Sequence, residues 1–416
     1  MVFLRISYLK FCFFIAVFIL CCSIADSVAG AAESPINKVR LTWPLVPSAV
    51  KYQVVILRSD LDYESNIALT IDQIFTNGVE VDLSRFGDAK EGFYWKYCPL
   101  NFEGKPLGHF SKPKPITEGT AINPTAPLPT TEFAQMADFP LYPVYSWVPT
   151  CGAKHHEVQI YRQNKETGRY NLIREIMGEE YTAYEYSGYT VPGEYYWRVR
   201  SVTEGGTPLS DWSEESHFRI KDKVTVAALG DSITHGGGAM SVPPGYCLYD
   251  WETYSPVPIK NLGLSGNTTE MMLKRFKTDV LPFHPKILVI MGGVNDFRGE
   301  TFGWSIVQNL AAIRDLCYSY SIVPVFATVT PINAYMLELR GVEFAPSDWK
   351  VHQEFVNDWV MKQKYHVDVS TALTDDDGNL RSMYSTDGLH PDFYGKKHIG
   401  ETIGRYLLQH FPNVVG

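Results

Sequence analysis

The spacing of apolar positions changes character near the middle of the chain. Up to about residue 220 the apolar residues alternate with polar ones in short runs. In Tyr195–Val202, for example, Tyr195, Trp197 and Val199 face one way, and Tyr196, Arg198 and Arg200 face the other. Gly and Pro punctuate these runs, as in Gly104-Lys105-Pro106 and Gly205-Gly206-Thr207-Pro208. From about Lys221 short apolar runs alternate with helical patterns instead. The runs are Val224–Leu229, Val257–Leu262, Ile287–Met291, Ile322–Val329 and His366–Thr371. The helical patterns fall near 268–281, 302–320, 347–364 and 394–409. Such alternation predicts βαβ units and a mostly parallel sheet.

The front part also repeats itself. Trp43, Tyr52, Val54 and Ile56 recur as Trp147, His156, Val158 and Ile160. Trp95, Pro106, Leu107, Phe110 and Ser111 recur as Trp197, Pro208, Leu209, Trp212 and Ser213. The shifts are 104 and 102 residues, so two β-modules are expected rather than a solenoid. Short strands and turns on that scale suit β-sandwiches. The segment Tyr195–Val202, followed by a Gly turn and Ser210-Asp211-Trp212-Ser213, resembles fibronectin type III domains. The expected organisation is a leader over 1–31, modules over 32–120 and 121–220 joined by the Pro-rich stretch 123–129, and an α/β domain over 221–416. The ten tyrosines from Tyr142 to Tyr196 could stack on sugar rings, but read better as core and strand-surface residues. On this reading the modules space or dock the α/β domain.

The first 31 residues carry Arg5 and Lys10, an apolar run from Phe11 to Ile24, and then Ala29-Gly30-Ala31. That is the layout of a secretory signal peptide, so an exported protein, periplasmic or extracellular in a bacterium, is expected. Cys21 and Cys22 lie late in this segment. Bulky Leu20 precedes Cys21 where a lipidation site wants a small residue, so a lipid anchor is not expected. Formal net charge over the 416 residues is −9, and no Lys/Arg-rich run appears, which argues against a nucleic-acid partner. Cys98, Cys151, Cys247 and Cys317 remain beyond the leader, with no metal-ligand spacing and three possible pairings.

In open parallel sheets, sites form beyond the carboxyl ends of the strands. The first strand is followed by Gly230-Asp231-Ser232, the second by Gly263-Leu264-Ser265-Gly266-Asn267, the third by Gly292-Gly293-Val294-Asn295-Asp296, and the fifth, after a loop, by Asp387-Gly388-Leu389-His390. Serine hydrolysis needs a hydroxyl, a base, a group that orients the base, and oxyanion donors. Ser232, His390 and Asp387 fit the first three. The backbone N–H groups of Ser232 and Gly266 and the Asn295 amide fit the last. His235, Trp251 and Tyr335 are candidate substrate contacts, and Ile332–Ser347 is a candidate lid or substrate wall. Asp375-Asp376-Asp377-Gly378-Asn379 lacks the closing Glu of a calcium loop and reads as a solvated turn.

Taken together and in this order, Gly230-Asp-Ser232, Gly266, Gly293-x-Asn295-Asp296 and Asp387-x-x-His390 make residues 222–412 resemble the SGNH (GDSL-type) hydrolases. The resemblance implies a three-layer α/β/α flavodoxin-like fold and ester hydrolysis through an acyl-serine, with no metal or cofactor. Relatives carrying β-modules are often carbohydrate O-acetylesterases. The expected substrate is therefore an acetylated polysaccharide or oligosaccharide such as acetylated xylan. A lysophospholipase, thioesterase or general short-chain esterase is the second reading, and a glycan-binding adhesion protein with a vestigial hydrolase domain the third.

Overall fold

The computed structural model describes residues 38–415 apart from 87–91, 117–119, 239–244 and 342–344. The leader expected over 1–31 lies outside the described residues. Residues 36–416 form one compact unit.

The parallel sheet has five strands in the spatial order Lys260–Asn261, Val226–Gly230, Ile287–Met291, Val323–Ala327, His366–Val367, which is 2-1-3-4-5 in chain order. The second run, read as Val257–Leu262, contributes only the two residues that pair with Ala227 and Ala228. The two central strands, Val226–Gly230 and Ile287–Met291, are buried at every position, as strands covered on both faces must be. The α-helices among the described residues are α1 (Ser232–His235), α2 (Thr269–Asp279), α3 (Val294–Arg298), α4 (Gly303–Ser319), α5 (Ala334–Leu339), α6 (Trp349–Val360), α7 (Phe393–His410) and α8 (Pro412–Val415). α2 packs on α4 and α4 on α6, while α7 packs on the short turn Trp251–Tyr254. This is the architecture of an open, doubly wound α/β domain with its crossing point beside strand Val226–Gly230.

The two front copies pair their strands in the same register. Ile56 faces Trp95 and Val54 faces Tyr97; at the same places in the second copy Ile160 faces Trp197 and Val158 faces Val199. Isolated bridges Leu100↔Pro106 and Val202↔Pro208 close corresponding turns. Ser111 Oγ accepts from the Tyr97 backbone N–H at 3.1 Å, and Ser213 Oγ accepts from that of Val199 at 3.0 Å. The first copy spreads over a three-stranded and a four-stranded sheet, and the second over one seven-stranded sheet.

How the modules are joined differs from the expectation. The stretch 123–129 is no loose tether. The Asn123 N–H donates to the Lys38 carbonyl and its Oδ1 accepts the Lys38 N–H, the Arg40 guanidinium donates to the Ala126 carbonyl, and Leu128–Pro129 pairs with Val144–Val148. The first module keeps its own core around Trp43, Ile56 and Trp95. The second does not. Its Phe139, Trp147 and Trp197 belong to one continuous apolar core with Val226, Leu229, Ile290 and the helices of the α/β domain. Buried polar groups cross the same seam: the Leu141 N–H donates to the Asn261 carbonyl at 2.9 Å, and the fully buried Lys260 ammonium donates to the Phe139 carbonyl.

Candidate active site

Ser232 opens α1, two residues past the end of strand Val226–Gly230. A side chain at 230 would meet Thr234 Oγ1 at 2.2 Å and the Met291 carbonyl at 2.6 Å, so only glycine lets the chain turn there. Asp231 caps α1 by accepting the Ile233 N–H at 2.9 Å. Burial is the main reason its carboxyl is pushed up, to about 6.

The structure brings Ser232, His390 and Asp387 together. His390 Nε2 is 3.0 Å from Ser232 Oγ, and His390 Nδ1 is 2.8 Å from Asp387 Oδ2. Asp387 Oδ1 accepts the backbone N–H groups of Leu389 and His390, each at 2.8 Å, and the Ser385 hydroxyl at 3.2 Å. Burial alone would raise this carboxyl. The charge and hydrogen bonds of His390, with the backbone donors, outweigh that and hold it below the ordinary value. An ionised Asp387 accepts a proton-bearing Nδ1, which leaves Nε2 as the acceptor for the serine O–H.

Gly266 is exposed at φ +79°, with nothing within 4 Å of where a side chain would start, so its backbone is open to a ligand. Asn295, at the start of α3, donates one amide N–H to the Asn267 carbonyl at 3.0 Å and keeps a second donor. Asp296 accepts both the backbone N–H and the hydroxyl of Thr269, at 2.8 and 2.6 Å, tying α3 to the start of α2.

The three candidate substrate contacts separate. Tyr335 lies on α5 with 73% of its surface exposed, and α5 packs directly on the triad loop, with the Asn333 N–H donating to the Gly388 carbonyl at 2.7 Å. Trp251 is 0% exposed beneath α7 and cannot reach a substrate; what read as a loop aromatic is a core residue. His235 is also buried. Its Nε2 is 2.6 Å from the Tyr142 carbonyl, and its Nδ1 accepts from the Ser265 hydroxyl at 2.8 Å and the Ser265 N–H at 3.3 Å. It fastens the site to the second β-module instead of lining the pocket.

Residues without a motif complete the frame. From α2, Arg275 donates to the carbonyls of Gly230 (2.8 Å) and Leu262 (2.7 Å), to Asn267 Oδ1 (2.6 Å) and to Asp279 (2.9 Å). The buried Lys396 ammonium of α7 donates to the Ile233 carbonyl at 2.6 Å. Most of their acceptors are main-chain carbonyls, which leave no trace in a residue pattern. The Asp375 carboxylate braces its own turn by accepting the N–H groups of Asp377 and Asn379. Among the described residues, Cys98, Cys151, Cys247 and Cys317 are all free thiols.

Burial is the main cause that lowers the His235 pKa from 6.5 to about 4, with the Tyr142 hydrogen bond opposing it and the charges of Arg275 and Lys396 adding to it. Between those values the unfolded chain binds a proton that the folded chain refuses, so stability falls as pH drops through the window. On going from pH 7 to pH 4.5, His235 is expected to cost on the order of 2 kcal/mol. Denaturant unfolding of wild type and His235→Gln at both pH values tests this: equal acid losses in the two proteins would remove the assignment.

Residues 228–397 match the GDSL-like Lipase/Acylhydrolase family. The match supports a GDSL-like acylhydrolase domain over those residues. A hydrolase acting on esters is what that family match supports. A curated relative, the uncharacterized lipoprotein YqeF of Bacillus subtilis (strain 168), is 31% identical over 128 residues, covering 26% of this chain and 49% of the relative. The chain thus spans about half the length of that protein. Among solved structures, a lipolytic protein of the G-D-S-L family from Desulfitobacterium hafniense DCB-2 is 23% identical over 44% of this chain and 99% of its own, with a TM-score of 0.37. A GDSL-like lipase from Bacteroides thetaiotaomicron VPI-5482 is 20% identical over 46% and 92%, with a TM-score of 0.36. An acetylxylan esterase from Geobacillus stearothermophilus is 16% identical over 45% and 95%, with a TM-score of 0.33. No helix of the described residues is long and apolar enough to cross a membrane.

Proposed function

We propose that the acylhydrolase domain is a serine esterase that removes acetyl groups from a polysaccharide outside the cytoplasm. The observation that carries the serine mechanism is the unbroken chain from Ser232 Oγ through His390 to Asp387. Ser232 attacks the ester carbonyl while His390 Nε2 takes its proton. The carbonyl oxygen becomes an oxyanion, met by the N–H groups of Ser232 and Gly266 and the free amide hydrogen of Asn295. As the tetrahedral centre collapses, the ester C–O bond breaks and His390 returns its proton to the sugar hydroxyl that leaves. Water, deprotonated by His390, then attacks the acyl-serine, and acetate and free Ser232 result.

The carbohydrate reading rests on where the first β-module sits. Arg340, at the end of α5, donates to the carbonyl of Thr386, the residue before Asp387, at 3.1 Å. The same guanidinium pairs with Glu103 and lies 4.5 Å over the ring of Phe102, both on a turn of the first β-module. The module therefore meets the catalytic loop through Arg340, which ends the helix that carries exposed Tyr335, and a polymer lying along that rim is part of the proposal. The leader-like segment 1–31 supports export, and fibronectin type III-like folding of the modules is part of the same proposal.

The test is acetate release from a panel of acetylated polysaccharides by wild type and Ser232→Ala, alongside acyl esters of increasing chain length. Release by wild type alone, faster on glycan acetates than on long acyl esters, is expected. Activity that rises with acyl length, with none on glycans, would replace the substrate by a lipid or thioester and keep the serine. Equal activity in Ser232→Ala would remove the mechanism.

A further inference from the structure

We propose that His235 is a positioning residue for the oxyanion loop, and that through it the second β-module sets the geometry of the active site. The inference rests on the reading of Ser232 as nucleophile and the Gly266 N–H as oxyanion donor.

Gly266 is exposed, and the space where a side chain would start is open. Its place is set by the bonds of the residues on either side. On one side, both donors of Ser265 go to His235 Nδ1. On the other, the Asn267 carbonyl accepts from Asn295 and Asn267 Oδ1 accepts from Arg275. His235 closes the same four-residue helix that Ser232 opens, so its ring ties the oxyanion loop directly to the nucleophile turn.

Nδ1 can accept from Ser265 only when the ring proton sits on Nε2. Nε2 donates that proton to the Tyr142 carbonyl at 2.6 Å, and Tyr142 belongs to the second β-module. The tautomer that holds the loop is therefore chosen by a main-chain carbonyl of that module. The Tyr142 side chain reinforces it: its hydroxyl donates to Asp279 Oδ2 at 2.7 Å, the same oxygen that holds Arg275. Arg275 in turn holds the Gly230 carbonyl, two residues before the nucleophile, and the Asn267 side chain, one residue past Gly266. One residue of the β-module thus grips both halves of the site, by its carbonyl through His235 and by its hydroxyl through Asp279 and Arg275. His235 is buried and acts through Ser265, so its effect falls on the transition state more than on substrate binding.

The experiment uses the full chain. His235→Leu removes both bonds; His235→Gln keeps an acceptor for Ser265 and a donor for Tyr142. Each is assayed on p-nitrophenyl acetate, with rates referred to sites titrated by a fluorophosphonate, and with phenylboronic acid as a tetrahedral inhibitor. His235→Leu is expected to lower kcat per site by about tenfold to a hundredfold with KM changed less than about twofold. Boronate affinity is expected to fall in step, and His235→Gln to recover most of both. Unchanged kcat per titrated site, with only the melting temperature lowered, would overturn the proposal and leave His235 a structural residue. If His235→Leu does not fold, Ser265→Ala, which removes one of the two bonds to Nδ1, carries the same test: a lower kcat at unchanged KM supports it and an unchanged kcat overturns it. Ser232→Ala is run in parallel. Activity there would sink the underlying mechanism, whereas an inactive Ser232→Ala beside an unaffected His235→Leu would sink this inference alone.

Discussion

Asp387→Asn is expected to lower kcat by about 10⁴-fold while leaving a folded protein. The hydrogen bonds around the carboxylate dictate the result. Oδ1 accepts from Leu389, His390 and Ser385, so the amide oxygen of an asparagine takes that position. The amide nitrogen then faces His390 Nδ1 as a donor, where Asp387 Oδ2 had been an acceptor at 2.8 Å. His390 must turn its own proton to Nε2 to accept it. Nε2 can no longer take the proton of Ser232, and the base is lost although the ring has not moved. Steady-state rates and the rate of fluorophosphonate labelling should fall together. A loss of less than about tenfold would mean that Asp387 does not choose the tautomer.

A chain that begins near residue 220 is expected not to fold. The apolar core of the acylhydrolase domain continues into Phe139, Trp147 and Trp197 of the second β-module. Cutting it leaves that surface bare and strips partners from buried polar groups. Lys260 loses the Phe139 carbonyl, His235 the Tyr142 carbonyl and Asp279 the Tyr142 hydroxyl. The bared apolar surface costs about 25 cal/mol per Å², and each polar group that water cannot then reach about 1–3 kcal/mol, against a total stability of about 5–15 kcal/mol. Expression of the fragment should give aggregated protein or one without a cooperative melt. A soluble fragment that hydrolyses an aryl acetate at the full-chain rate would show that the second module only docks, which is what the residue pattern suggests.

The contrast shows what a residue pattern can and cannot carry. Helices α2, α4, α6 and α7 were legible because each has a long apolar stripe. The four blocks that meet in the candidate site were legible because each follows a strand and is built from residue types that the proposed chemistry restricts. The repeat was legible because tryptophans hold their places in the register. Tyr142 was not, because one of its two contacts is through a carbonyl that every residue has. Arg275 and Lys396 look like ordinary helix cations until their acceptors are seen. Trp251 sits among polar residues in a short turn, and only the packing of α7 above it buries it. The Pro-rich stretch 123–129 has the composition of a spacer, yet hydrogen bonds from Lys38 and Arg40 fasten it down.

The matching registers of the two β-copies carry a consequence for descent. Ile56 facing Trp95 and Ile160 facing Trp197 mark copies of one ancestral unit. Only the first copy still has a core of its own. The core of the second copy is continuous with that of the α/β domain. The first copy is anchored too: its Val50 packs in a buried cluster with Tyr246 and Tyr249, and the Ala49 carbonyl accepts the Tyr249 hydroxyl, so replacing the segment before about residue 123 is expected to open that contact. Recombination at the boundary between β and α/β sequence, the place where the chain looks easiest to divide, would deliver an enzyme without its foundation.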